Sequence, residues 1–187
     1  MIGVIHTYNG PEARDALGGA PAISYLSPLL AVIVGILHAA LAPVIVIGGV
    51  KPNLVLVAVV LVTTLGGFRA GITWAFVAGL TANLLVGDPL GSVPLAMLLV
   101  AALVAGGAHL FGRVVWIYPV LATFVGSVVA DVLSILVRQL VGDASASAMP
   151  FDIVLGAATL NALVAALVLY RARTLTARYV PDESAAW

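Results

Sequence analysis

The sequence predicts an all-α integral membrane protein whose six transmembrane helices pack as one compact bundle. Three observations predict it. Hydrophobic types make up 63% of the 187 residues and charged types only 9%, with a mean hydropathy of +1.19. A soluble domain carries about 25% charged residues, and a core of this size has no room to hide so much apolar surface from water. The apolar residues fall into six stretches divided by Gly, Pro and charged positions, most of them near the length of about 20 residues that a spanning helix needs. The basic residues, finally, divide unequally between the two sets of loops. Net charge is zero, so the chain has no electrostatic footprint for nucleic acid. It has no cysteine, which excludes disulfides, thiolate metal sites and a cysteine nucleophile.

Residues 1–24 carry Glu12, Arg14 and Asp15 without an apolar run. They do not resemble a signal peptide and are expected to form a polar cytoplasmic leader. The membrane domain is expected over residues 25–172, and a basic cytoplasmic tail over 173–187. Span 1 is expected over Tyr25–Ile47, closed by Lys51-Pro52-Asn53. Span 2 is short, Asn53–Leu65, and Gly66-Gly67 then makes a turn. Span 3 covers Ala70–Val86 and ends in the turn Gly87-Asp88-Pro89-Leu90-Gly91. Span 4 is Ser92–Phe111, Gly112-Arg113 turns the chain, and span 5 is Val114–Val141. The polar loop Gly142–Pro150 precedes span 6, Phe151–Tyr170. With these spans, Arg14, Arg69, Arg113, Arg171, Arg173 and Arg178 share one side. Lys51 and Arg138 share the other with Asp88, Asp143 and Asp152. Basic loops stay in the cytoplasm, so both termini are expected there, in agreement with an even number of spans.

Small residues recur every four positions in span 3, at Gly67, Gly71, Ala75, Gly79, Asn83 and Gly87. On a helix they form one stripe. Lipid gives helices no hydrophobic reason to associate, so close backbone approach through small residues supplies van der Waals contact instead. The stripe has two uses: packing within the chain, which is preferred, and docking of a second protein. Ala31, Gly35 and Ala39 make a shorter version on span 1, to which the same choice applies. On span 6 Ala158, Ala162 and Ala166 share a face, and Asn161 beside them must face the bundle to find a partner. Span 5 is the most polar, with Thr123, Ser127, Asp131, Ser134 and Arg138 along one seam. An acid inside a span is costly and turns toward protein. Arg138 leans back toward Asp131, so a pair between them is one reading, and snorkelling of Arg138 to the headgroups is another. The seam is read first as structural or interaction surface, ahead of a transport site.

Nothing points to catalysis. His6, His38 and His109 have no metal-ligand spacing, and His38 is expected as a core histidine. GGFRAG lacks the Lys-Ser/Thr of a phosphate loop, so its glycines read as a turn. No catalytic, cofactor-binding or metal-ligating residue is assigned. Trp74, Trp116, Tyr118 and Tyr170 fall near cytoplasmic ends and fit an aromatic belt.

The run from Lys51 to Ala102 carries a resemblance. Its elements are Pro52-Asn53-Leu54, then Gly71, Phe76, Gly79 and Leu80, the turn Gly87–Gly91, and Leu95. With Asn161 and Arg171–Arg173 at the end of the last span, this run resembles the MreD family, rod shape-determining membrane proteins of bacteria. Asn83 stands where that family often has an acid. The resemblance implies a bundle similar to the six-helix substrate-binding subunits of energy-coupling-factor transporters. It also implies a non-catalytic scaffold in the machinery of peptidoglycan elongation, in the bacterial cytoplasmic membrane. The implied partners are an MreC-like protein, a RodA-type glycosyltransferase with its transpeptidase, and an MreB-like filament. The alternative is a vitamin-binding transporter subunit, docked through Ala31, Gly35 and Ala39, with Asn83, Asp131, Arg138 and Asp152 lining an outward pocket.

Overall fold

The computed structural model describes residues 20–41, 43–111, 117–142 and 151–179. Arg14, His6, Arg113, Trp116 and Asp143 lie outside the described residues, as do the side chains of His109, Arg173 and Arg178. The described chain is all-helical: α1 Ala20–Leu41, α2 Leu54–Val86, α3 Ser92–Phe111, α4 Ile117–Leu140 and α5 Phe151–Tyr179. Three stretches, Leu54–Val86, Ile117–Leu140 and Phe151–Ala172, are long and apolar enough to cross a membrane. The shorter helical stretches Leu26–Leu41 and Ser92–Ala108 are also apolar.

The expected spans 2 and 3 form one helical element that is broken at Gly67. There φ is 82° and ψ 179°, a conformation open in practice only to glycine. The chain turns back on itself at this point. Thr63 lies directly against Gly71, although eight residues of straight helix would hold them about 12 Å apart. α2 is therefore two antiparallel rods, one on each side of Gly67. The first is buried almost all round, with Val55, Leu56, Val57, Val59, Val60 and Leu61 out of solvent. That explains its uninterrupted apolar sequence, since a helix apolar on every face is one surrounded by protein.

α1 ends earlier than expected, at Leu41 rather than Ile47. Pro43 follows, and a proline disfavours helical backbone in the residue before it. The loop from Pro43 to Val50 ends in a tight turn closed by a bridge between Ile47 and Val50, with Gly48 and Gly49 at positive φ. At its other end α1 begins at Ala20, inside the segment expected as leader.

α2 is the hub and packs on α1, α3, α4 and α5. α1 runs parallel to the second rod: the Trp74 indole donates to Ser27 Oγ at 2.8 Å, and Gly35 sits against Ala78 and Thr81. α3 returns antiparallel, with Gly79 against Pro94. A Cβ at Gly126 of α4 would lie 2.9 Å from Val100 and 3.8 Å from Val60, so a glycine is what lets this helix close on both. The core joins Val55, Leu56, Val59 and Val60 to Ala75, Ala78, Met97, Val100, Ala101 and Ala130. The outward faces are equally apolar: Leu29, Ile33, Phe76, Leu95, Leu121, Leu136 and Leu163 are all exposed. A water-soluble monomer rarely leaves such surfaces uncovered, and hydrocarbon is the solvent they suit.

Candidate functional site

Asn161 is the junction of three elements. Only 1% of it is exposed. Its Oδ1 accepts from the backbone N–H of Asn53 at 2.7 Å, and its Nδ2 donates to Ser127 Oγ at 2.8 Å. Asn53 in turn caps α2, its Oδ1 accepting from the Leu56 N–H at 3.0 Å. The first N–H groups of a helix have no intrahelical partner, and an asparagine at this position satisfies one of them. A buried amide left unpaired is costly. Asn161 meets its needs by joining the start of α2 to the middle of α4.

Asn83 organises the turn between α2 and α3. Its Nδ2 donates to the carbonyls of Asp88 at 3.1 Å and Pro89 at 3.3 Å, and its Oδ1 accepts from the Gly91 N–H at 2.6 Å. Gly87 and Gly91, at φ 77° and 89°, give the turn its shape. The product is a fixed Asp88, whose Oδ1 accepts from Arg138 Nη2 at 2.5 Å. The ion pair clips the α2–α3 turn to the end of α4.

Beside this clip lies a cavity of about 500 Å³. Six of the residues around it are polar: His38, Lys51, Asn53, Asp131, Arg138 and Asn161. They come from the end of α1, the loop before α2, α4 and α5. Among the described residues, Asp131 Oδ2 and His38 Nδ1 are buried without a hydrogen-bond partner. A second, almost wholly apolar cavity of about 560 Å³ lies between α3 and α4, walled by Leu103, Ile117, Leu121 and Val125. The Tyr118 hydroxyl beside it donates to the Val104 carbonyl. No three His, Asp or Glu side chains gather as a metal site among the described residues.

The central residues of the small-residue stripes pack against other parts of the chain. Gly71 meets Thr63, Gly79 meets Pro94, and Gly35 meets Ala78 and Thr81. Ala31 and Ala75 are fully buried, Ala39 lines the polar cavity, and Gly87 is the exposed left-handed cap of α2. The seam of α4 separates into parts. Thr123 Oγ1 donates to the Pro119 carbonyl at 2.7 Å, Ser127 serves Asn161, Ser134 is half-buried, and Asp131 faces the cavity with Arg138. Arg138 takes Asp88, not Asp131, as its partner. Of the four residues expected around an outward pocket, Asp131 and Arg138 line this one. Asn83 is committed to its turn, and Asp152 lies exposed at the start of α5. His38, Lys51 and Asn53 join the cavity without a signal in the sequence, because the end of α1 and the loop before α2 are remote in the chain from Asp131 and Asn161.

A family model described as rod shape-determining protein MreD matches residues 22–176. No curated protein and no solved structure matches the chain.

Proposed function

The chain belongs to the MreD family, whose role is rod shape determination, and from that premise we propose that it is a non-catalytic membrane scaffold of the cell-wall elongation machinery. The observation that carries this reading is the family match, which covers residues 22–176. The architecture fits it. With the two rods of α2 counted separately, this reading takes the five helices as six crossings, the number that the family resemblance implies for a bundle like the substrate-binding subunits of energy-coupling-factor transporters. Lys51 and Arg138 line one cavity, and this reading takes that end of the bundle as the outer one. Arg69, at the reversal between the rods, and Arg171, near the end of α5, belong to the opposite end. Basic residues favour the cytoplasm, which supports a multi-pass protein of the bacterial cytoplasmic membrane with both termini inside.

The scaffold holds the single transmembrane helix of an MreC-like partner and orients its extracytoplasmic domain toward a RodA-type glycosyltransferase and its transpeptidase, with an MreB-like filament beneath. The stripes at Ala31, Gly35 and Ala39 and at Gly71, Ala75, Gly79 and Asn83 serve this indirectly. They seat α1 and α3 on the second rod and so fix the outward apolar faces that a partner helix meets.

A second reading, the substrate-binding subunit of a vitamin transporter, draws on one observation, the polar cavity. Affinity purification from native membranes in mild detergent, with the tag at the C-terminus, separates the two. An MreC-like protein recovered with wall synthases is the expected result. ATPases recovered with a coupling subunit, and no wall proteins, would overturn the scaffold.

A further inference from the structure

We propose that the polar cavity at the outer end of the bundle is a binding site for a zwitterionic group, an ammonium held by Asp131 with its phosphate or carboxylate held at the rim by Lys51. The size is suitable, since ligand pockets run from roughly 300 to 1,000 Å³ and this one is about 500 Å³. The chemistry follows from which charges are already matched. Arg138 and Asp88 neutralise one another at 2.5 Å. That leaves Asp131 and Lys51 as the charged lining residues without a partner among the described residues, one negative and one positive.

They stand at different depths. Asp131 is two turns further into α4 than Arg138, about 10 Å along the helix, and one of its oxygens is buried without a partner. Lys51 is exposed, on the loop that precedes α2. A carboxylate held away from bulk water is costly until a cation or strong donor reaches it, and no side chain of the described chain does so. An ammonium entering the cavity supplies that partner. Lys51 lines the same cavity and is the cation open to the anion of the entering group. Asn53 and Asn161 are already bonded to backbone and to Ser127, so they shape the wall without demanding partners. His38 Nδ1, also unpartnered, offers the entering group a second contact.

Two sources carry this chemistry: the ethanolamine headgroup of an outer-leaflet phospholipid, or a free small zwitterion. The full chain purified in detergent distinguishes them. One arm compares retention of phosphatidylethanolamine and phosphatidylglycerol of equal acyl chains by native mass spectrometry. The other titrates soluble phosphoethanolamine by calorimetry. Preference for the ethanolamine lipid assigns the site to lipid, and binding of the soluble probe assigns it to a free ligand. Asp131→Asn keeps the shape and removes the charge, so whichever probe binds should lose about tenfold or more in affinity, the size of a charge-assisted hydrogen bond. Lys51→Gln changes an exposed loop residue and leaves the bundle intact. It should weaken phosphoethanolamine or the lipid while leaving the weak binding of ethanolamine itself unchanged. Absence of binding by both probes, or equal binding by the wild type and both variants, overturns the proposal. The outcome is independent of whether an MreC-like partner assembles on the chain, because every residue involved belongs to this chain alone.

Discussion

Asn161 and Arg138 both make polar contacts between helices, and their worth differs because their surroundings differ. Asn161 is buried, and its loss strands the Asn53 N–H and the Ser127 hydroxyl. Interhelical hydrogen bonds in membrane proteins contribute about 0.6 kcal/mol on average and up to about 1.7, so Asn161→Ala should cost about 1–3 kcal/mol through its two bonds. Arg138 and Asp88 remain 45% and 24% exposed. A solvent-screened pair is worth about 0–1 kcal/mol, so Arg138→Gln should be nearly neutral. Thermal unfolding of the purified variants in one detergent measures both, and equal losses would contradict the difference in burial as its cause. The sequence showed that Asn161 had to face protein. It gave no sign of which atoms Asn161 meets, since Asn53 is 108 positions away.

At the scale of the element, α2 depends on one backbone conformation. Gly67 and Gly106 both have open space where a Cβ would go, but only Gly67 sits at φ 82°. Gly67→Ala should therefore cost about 1–3 kcal/mol from backbone strain. Gly106→Ala, inside α3, should be neutral or stabilise by up to about 1 kcal/mol, because alanine loses less conformational freedom than glycine in a helix. Comparable unfolding temperatures for the two variants would show that the reversal does not rest on glycine. Gly79 is different in kind: a Cβ there would stand 2.9 Å from Pro94 Cα. Gly79→Leu drives α3 off the second rod, so any loss of complex in that variant reports on the bundle before it reports on docking.

At the scale of the whole molecule, the arrangement of crossings is the property to test, and the chain is suited to it because it has no cysteine of its own. Lys51→Cys and Arg69→Cys place single thiols at the two ends of the first rod. A membrane-impermeant maleimide applied to intact spheroplasts should label position 51 and leave 69 unlabelled until the membrane is opened. Labelling of 69 from outside would overturn the inward reversal at Gly67, and with it the positive-inside orientation.

By itself the sequence determined the solvent and the rough placing of the elements, though not the ends of α1 or the end of α5. Composition is a sum over residues, and helix boundaries answer to neighbours a few positions away, so the apolar stretches, the turn at Gly66-Gly67 and the turn Gly87–Gly91 are legible in one dimension. The likeness of residues 51–102 to the MreD family is of the same local kind. Only the tertiary structure decided what each face meets. The periodicity of span 3 shows that Gly71, Ala75 and Gly79 share a side, but the same stripe would serve an internal helix or a foreign one. The seam of α4 brings Arg138 near Asp131 in sequence, yet Arg138 bonds Asp88, 50 residues away. The pocket around Asp131 draws His38 from α1 and Lys51 and Asn53 from the loop before α2. Such pairings depend on the rotation and depth of each helix relative to its neighbours, and those are set by packing across the whole bundle rather than by any one segment.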